Sequence, residues 1–127
     1  MDRPYKQVLV DRMMGLQHNS PDIEAAAVVS LDGLIVASSL LPTMSEDRVS
    51  AMSAAILSLG EQICNEMGRG ILEQIHIKGR LGHIVLMAID ETRVFTLLVS
   101  STAKLGLLFL EMRRAVDDLR LILKEMS

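Results

Sequence analysis

Few side chains of this sequence have the type and spacing that catalysis or metal binding requires, and Asp32 is the first candidate. It precedes Gly33 between two apolar runs. A catalytic carboxylate needs a second acid–base group placed nearby. No carboxylate or histidine follows or precedes Asp32 at a spacing typical of such a pair. Because glycine takes positive φ freely and aspartate tolerates it, Asp32 and Gly33 predict the turn of a β-hairpin.

The histidines and the cysteine do not form a metal-binding or nucleophile motif. His18, His76 and His83 are far apart and lack the His-x-x-x-His spacing of a helical metal site. His76 and His83 flank a Gly-Arg-Leu-Gly turn and could face each other across a hairpin. Cys64 is the only cysteine, and no base stands beside it, so packing is favoured over catalysis. We therefore expect no metal, no cofactor and no enzymatic activity.

Composition excludes further classes of function. The 127 residues carry a formal net charge of −3, whereas nucleic-acid binding needs a basic surface to neutralise phosphates. Aromatic residues make up only 2% of the chain, which argues against stacking platforms. A glycine-rich phosphate loop, a membrane-spanning run and an N-terminal signal core are all missing from the sequence. We expect a soluble, cytoplasmic protein that binds no nucleic acid.

The hydrophobic pattern predicts three helices and five strands in one domain over residues 1–127. Helices are predicted at 5–16, about 45–67 and about 102–126, and strands at 23–31, 34–39, 71–78, 83–89 and 93–100. The order is α-β-β-α-β-β-β-α. Because hairpins join most of the strands, we predict an α/β sandwich: a five-stranded antiparallel sheet with helices on both faces.

Local signals predict where the helices begin and end. Gly15 and the polar residues after it are expected to end the first helix. Thr43 and Glu46 form a capping box at the start of the second helix, with Ser45 as the alternative N-cap. Thr102 is expected to cap the last helix.

Two stripes of residues run along the predicted central helix. The apolar stripe, expected to pack in the core, consists of Val49, Met52, Ile56, Leu59, Ile63 and Met67. The other stripe contains the small residues Ala51, Ala55 and Ser58. Small side chains would let a second helix approach closely, although packing on the protein's own sheet is the alternative.

Residues 25–38, AAAVVSLDGLIVAS, resemble the signature hairpin of the Roadblock/LC7 family. The long helix after Pro42, the three strands and the ending KLGLLFLEMRRAVDDL fit the same pattern, so the resemblance covers essentially the whole chain. The ending is especially similar to stand-alone bacterial members that are encoded beside small GTPases. The resemblance implies a profilin-like sandwich that forms a homodimer through its third strand, with the central helices side by side.

The resemblance also implies where two interfaces would lie. The homodimer interface would contain Ala51, Ala55, Ser58 and Gln62 on the central helix and Leu72, Gln74 and His76 on the third strand. A Ras-like small GTPase would contact the outer side of the central helix, at Arg48, Ser50, Ser53, Glu61, Asn65 and Glu66.

The resemblance also implies a function: a non-enzymatic homodimer would bind and regulate a Ras-like small GTPase. Such a dimer would favour one nucleotide state of the GTPase and would act by conformation, without donating an arginine. One alternative is a structural adaptor dimer that ignores the bound nucleotide. The other is a small-ligand sensor with a similar order of elements, which is disfavoured because convergent polar groups and aromatic residues are scarce.

Overall fold

The computed structural model describes residues 4–126 and contains three helices and five strands. The helices are α1 (Tyr5–Asn19), α2 (Glu46–Glu66) and α3 (Leu105–Met126). The strands are β1 (Ile23–Ser30), β2 (Ile35–Ser39), β3 (Gln74–Gly79), β4 (Gly82–Ala88) and β5 (Arg93–Ser100). This order of elements confirms the predicted one.

The strands form one five-stranded sheet in the order β2-β1-β5-β4-β3. Every neighbouring pair is antiparallel. The long central pairing of β1 with β5 connects the two hairpins, and β2 and β3 are the edge strands. The predicted five-stranded antiparallel sheet with helices on both faces is confirmed.

The sheet separates the core into two layers, and helices cover both. α1 and α3 cover one face of the sheet, where Met13, Phe95 and Leu119 are fully buried. α2 covers part of the other face over a smaller core, which includes Leu57 and Leu86. No helix within residues 4–126 has the length and apolar composition needed to cross a membrane.

Several predicted element boundaries were wrong by a few residues. α1 continues through Gly15 and ends at Asn19, because burial of Leu16 in the core outweighs the poor helix propensity of one glycine. β3 begins at Gln74, and Ile71, predicted to start this strand, is 92% exposed. α3 begins at Leu105 instead of directly after Thr102.

Candidate interaction surface

The start of α2 is fixed by Ser45, the N-cap residue. Its hydroxyl oxygen accepts a hydrogen bond from the Arg48 backbone N–H at 3.3 Å. The predicted capping box of Thr43 and Glu46 was therefore wrong, and Ser45, the alternative, is the N-cap. Glu46 and Asp47 occupy the first turn of α2, where carboxylates interact favourably with the helix dipole.

The face of α2 that packs on the sheet contains two serines. Ser50 and Ser53 are 1% and 5% exposed, and Leu57 lies one turn further along on the same face. Thr96 of β5 donates a hydrogen bond to the Ser53 hydroxyl at 3.1 Å, and the Ser50 hydroxyl donates to the Asp47 carbonyl at 3.1 Å. The prediction that Ser50 and Ser53 contact a partner was wrong, because both side chains lie against the protein's own sheet.

Much of the apolar stripe predicted to pack in the core lies outside it. Met52, Leu59, Ile63 and Met67 are 61%, 55%, 50% and 67% exposed. We call these four residues the apolar flank of α2. An exposed group of large apolar side chains on one side of a helix is a candidate interaction surface.

An apolar groove lies beside this flank, over the half of the sheet that α2 leaves uncovered. Its volume is about 300 Å³, and its walls include Met52 and Ile56 of α2 with Ile77, Ile84 and Leu98 of the sheet.

The polar side chains of the groove wall are Ser53 and Thr96. Their hydroxyls are hydrogen-bonded to each other. The groove therefore lacks the convergent polar groups that orient a small ligand, and its walls suit an apolar protein surface.

The small-residue face of α2 is accessible. Ala51, Ala55, Ser58 and Gln62 are all exposed on the side of the helix directed away from the sheet.

The other residues of the expected homodimer interface lie at β3 or just before it. His76 is exposed and Gln74 is half-buried. Leu72 precedes the strand and packs partly against the core beneath α2. Gly60 brings the C-terminal half of α2 next to Leu72 and Ile75, whereas Ala51 lies beside Gly33 in the β1–β2 turn, towards the opposite edge of the sheet.

The remaining residues of the expected GTPase-binding surface are exposed but do not form one patch. Glu61 lines a cleft with Leu72 at one side of α2, and Asn65 follows it one turn later. The helical spacing places Arg48 and Glu66 on the opposite side, next to the apolar flank. A partner contacting all four residues would have to cross the whole outer face of α2.

Asp32 and Gly33 lie in the connection between β1 and β2. Gly33 has a φ of 87°, and its N–H donates to the Ser30 carbonyl at 3.0 Å. The Ser30 hydroxyl donates to the carboxylate of Asp32, which is exposed. This geometry is that of a turn, with the aspartate oriented by its own loop.

His76 and His83 do face each other across the β3–β4 hairpin, with 2.9 Å between Nε2 of His76 and Nδ1 of His83. Within residues 4–126, no group of three or more His, Cys, Asp or Glu side chains is placed to hold a metal ion. One ring donates to the other across this contact, so each of these two nitrogens has its hydrogen-bond partner within the hairpin.

Comparisons with known proteins agree with this architecture. A sequence profile described as "Roadblock/LC7 domain" matches residues 9–99. The uncharacterized protein MJ0310 of Methanocaldococcus jannaschii is 30% identical over 112 residues, which are 88% of this chain and 97% of that protein.

Solved structures show the same fold. The structure of Myxococcus xanthus MglB has a TM-score of 0.90 and 13% identity, over 100% of this chain and 96% of that one. A profilin of Schizosaccharomyces pombe has a TM-score of 0.61 and 19% identity, over 91% of this chain and 96% of that one. The fold is therefore profilin-like, and with the profile match over residues 9–99 the chain belongs to the Roadblock/LC7 domain family.

Proposed function

We propose that this protein is a non-enzymatic homodimer that binds a Ras-like small GTPase and regulates it. The observation that carries the proposal is the apolar flank of α2, exposed beside an apolar groove that extends over the sheet to Ile77 of edge strand β3. Membership of the Roadblock/LC7 family supports the same function, since the family resemblance implies a GTPase-regulating dimer.

A second copy of the chain fits the groove. The backbone of Gly60 in α2 lies close to the side chains of Leu72 and Ile75, so the C-terminal half of α2 lies next to the start of β3. The groove instead lies beside Ile77, near the end of β3. Antiparallel pairing of β3 with its symmetry mate would place the start of one β3 beside the end of the other. The apolar flank of each α2 would then cover the groove of the partner subunit.

Pairing at β3 also removes two liabilities of an isolated protomer. An edge strand with free N–H and C=O groups invites non-specific pairing, and a flank of large apolar side chains costs free energy while it faces water. A homodimer that pairs through β3 and α2 would cover both the free strand edge and the apolar flank, and two-fold symmetry closes it. The whole chain, residues 1–127, would act as one such domain.

In this homodimer the apolar flank, and not the small-residue face expected there, supplies the helix part of the interface. The outer face of α2, with the side that carries Glu61 and Asn65, is then left for the GTPase. The two-fold axis would bring two such helices together into one continuous platform. A platform that binds one nucleotide state of the switch loops more tightly shifts the GTPase towards that state. Regulation would require no catalytic group from this chain.

The test is binding of purified small GTPases from the source organism, loaded separately with a GTP analogue and with GDP, to the immobilised protein. We expect affinities that differ between the two nucleotides by at least about fivefold, the lower end of typical allosteric coupling. Equal binding would indicate the adaptor function, and no binding to any small GTPase would overturn the proposal.

Charge reversal then locates the partner surface. R48E and E61K change exposed residues on opposite sides of α2, so each variant tests one side. Loss of GTPase affinity in E61K alone would place the contact on the Glu61 side. Unchanged affinity in both variants would exclude this helix as the GTPase-binding element.

A further inference from the structure

The two ends of edge strand β3 carry opposite charges. Lys78 and Arg80 lie at its end and in the turn that follows, and both are exposed. We call residues 78–81 the hairpin tip. Glu73, which is also exposed, lies just before the start of the strand. Within residues 4–126, none of these three side chains forms a salt bridge. One end of the strand is therefore basic and the other acidic, and neither has a counter-charge in the protomer.

A cleft of about 640 Å³ lies at the acidic end of β3, between the residues that lead into the strand and α3. We call it the edge cleft. Five carboxylates and two arginines line it. Two of the carboxylates, Asp90 and Asp117, form salt bridges within the protomer. The remaining three are Glu61, Glu73 and Glu91. The edge cleft is thus acidic overall.

The two most exposed large apolar side chains of the described residues lie at the same two places. Ile71, in the wall of the edge cleft, is 92% exposed, and Leu81, in the hairpin tip, is 90% exposed. Single exposed apolar residues are common on protein surfaces. Here, however, each one stands beside a charge without a counter-charge, at opposite ends of one edge strand.

The hydrogen bonds of β3 show which of its residues face the outer edge of the sheet. The β3–β4 hairpin is closed by Gly79 opposite Gly82, and the Ala88 N–H donates to the Glu73 carbonyl at 3.2 Å. Because hydrogen-bonded positions recur at every second residue of an antiparallel strand, the odd-numbered residues of β3 bond to β4. The residues that direct their N–H and C=O groups outwards are Gln74, His76 and Lys78.

Antiparallel pairing of β3 with its symmetry mate uses all three of these residues in one register. His76 then lies opposite His76 of the partner subunit, and about six interchain hydrogen bonds form, compared with about four after a shift of two residues in either direction. In this register Glu73 lies opposite Gly79 of the partner subunit and next to Arg80 of the partner subunit. Each hairpin tip therefore lies at the edge cleft of the other subunit.

We propose that each hairpin tip docks at the edge cleft of the partner subunit, with Arg80 against Glu73 and Leu81 against Ile71, and that this contact selects a second copy of this chain as the partner. The inference rests on the proposed homodimer. Two-fold symmetry forms the contact twice. Because Gly79 has no side chain, it leaves room for the Glu73 side chain opposite it.

The charges at the ends of β3 act on the choice of partner. Complementary charges contribute more to specificity than to affinity. Antiparallel pairing of two copies joins a basic end to an acidic end, whereas a strand with the reverse charge pattern would place like charges together. The apolar flank of α2 has no such selectivity, since apolar contacts are non-directional. The contact between hairpin tip and edge cleft would thus restrict pairing to chains with the same charge pattern.

Charge reversal followed by sedimentation velocity tests the contact. R80E and E73R change exposed residues, and both variants should keep the far-UV circular dichroism of the parent protein. Each homodimer of a variant would contain two like-charge contacts, so we expect dimerisation to be at least about fivefold weaker than in the parent. The control is K6E, at an exposed position of α1, which packs against the other edge strand β2. K6E should dimerise like the parent.

A mixture of the two variants gives the sharper test. In a heterodimer of R80E with E73R, both contacts again join one acidic and one basic side chain. We expect native mass spectrometry of the mixture to show mostly heterodimer, with the affinity of the parent homodimer. The double variant R80E/E73R should also recover the parent affinity. A statistical mixture, in which half of the dimers are mixed, would overturn the proposed contact.

Substitution of Leu81 tests the apolar part of the contact. L81S should weaken dimerisation by at least about threefold, because two leucine contacts are lost per dimer. The matched control is L34S, which changes a leucine that is 63% exposed next to the other edge strand. L34S should dimerise like the parent, and equal weakening by both would remove Leu81 from the interface.

The outcomes separate this contact from the homodimer itself. Parent-like dimerisation of both R80E and E73R would overturn the docking of the hairpin tip and leave the homodimer standing. Loss of GTPase affinity in R80E without any change in dimerisation would assign the hairpin tip to the GTPase and also overturn the contact. A parent protein that stays monomeric at about 100 μM, a concentration far above the Kd of a specific dimer, would overturn the homodimer and the contact together.

Discussion

The hydroxyl of Thr96 on β5 donates a hydrogen bond to the hydroxyl of Ser53 on α2, at 3.1 Å. This bond connects the central helix to the middle of the sheet. Ser53 is 5% exposed and has Leu57 as its buried neighbour one turn away. Because Ser53 and Thr96 are small, α2 lies close to the sheet. The larger apolar residues of α2 are then directed towards the groove.

Replacing Ser53 by alanine removes one side of this hydrogen bond. We expect S53A to lower the free energy of unfolding by about 1 kcal/mol, the usual net value of a buried hydrogen bond. S58A, on the exposed face of the same helix, should change it by less than about 0.5 kcal/mol. Urea denaturation measures both free energies at one fixed protein concentration, because unfolding of the proposed homodimer would depend on concentration. Equal effects of S53A and S58A would show that the bond contributes nothing.

The N-cap of α2 gives a second matched pair. S45A removes the oxygen that accepts from the Arg48 N–H, so we expect a loss of about 1 kcal/mol of stability. T43A, two residues earlier and outside the helix, should be nearly neutral. The same denaturation measurement decides between the two possible caps, and a larger loss in T43A would restore the capping box that the sequence predicted.

Substitution by alanine should change the stability in opposite directions at two glycines, Gly15 and Gly82. At Gly15, inside α1, an added Cβ meets no atom within 4 Å, so G15A should stabilise the protein by about 1 kcal/mol through helix propensity. At Gly82 an added Cβ would lie 2.7 Å from the Val99 carbonyl oxygen. That oxygen belongs to the neighbouring backbone and cannot move away easily, so G82A should cost about 2 kcal/mol. Thermal unfolding of both variants measures the sign, and stabilisation by G82A would contradict the close approach of β4 to β5.

The sequence predicted the fold well because its strongest signals are local. Asp32 and Gly33 mark one hairpin, and alternating or continuous apolar runs give the strands. The apolar residues of α3 recur at helical spacing, and Leu108, Met112 and Leu119 among them are buried in the core. The continuous pattern of a helix packed along its whole length on one sheet face is easy to recognise.

The orientation of α2 could not be predicted from the same rule. Hydrophobic periodicity assigns the most apolar stripe to the protein's own core, but here Met52 and Leu59 lie outside it while Ser50 and Ser53 lie against the sheet. The signal that was missed is the series Ser50, Ser53, Leu57, which has helical spacing and small side chains. When a helix carries two stripes, periodicity alone does not say which stripe faces inwards.

The apolar flank gives the sharpest prediction about assembly. Ile63 is 50% exposed on α2, and in the proposed homodimer it would be covered by the partner subunit. I63E would bury a carboxylate without a counter-charge, so we expect dimerisation to weaken by about 3 kcal/mol or more, which is over about 100-fold. Sedimentation velocity over a range of concentrations measures the change.

The matched control is L107E, which changes a leucine that is 54% exposed on α3, on the other face of the sheet. Both substitutions replace a half-exposed apolar residue on a helix with the same charge, so general effects on solubility and net charge cancel. We expect L107E to dimerise like the parent protein and I63E to sediment as a monomer. Equal weakening by both would show that charge itself, and not the α2 interface, drives the change, whereas no weakening by I63E would exclude the apolar flank from the dimer contact.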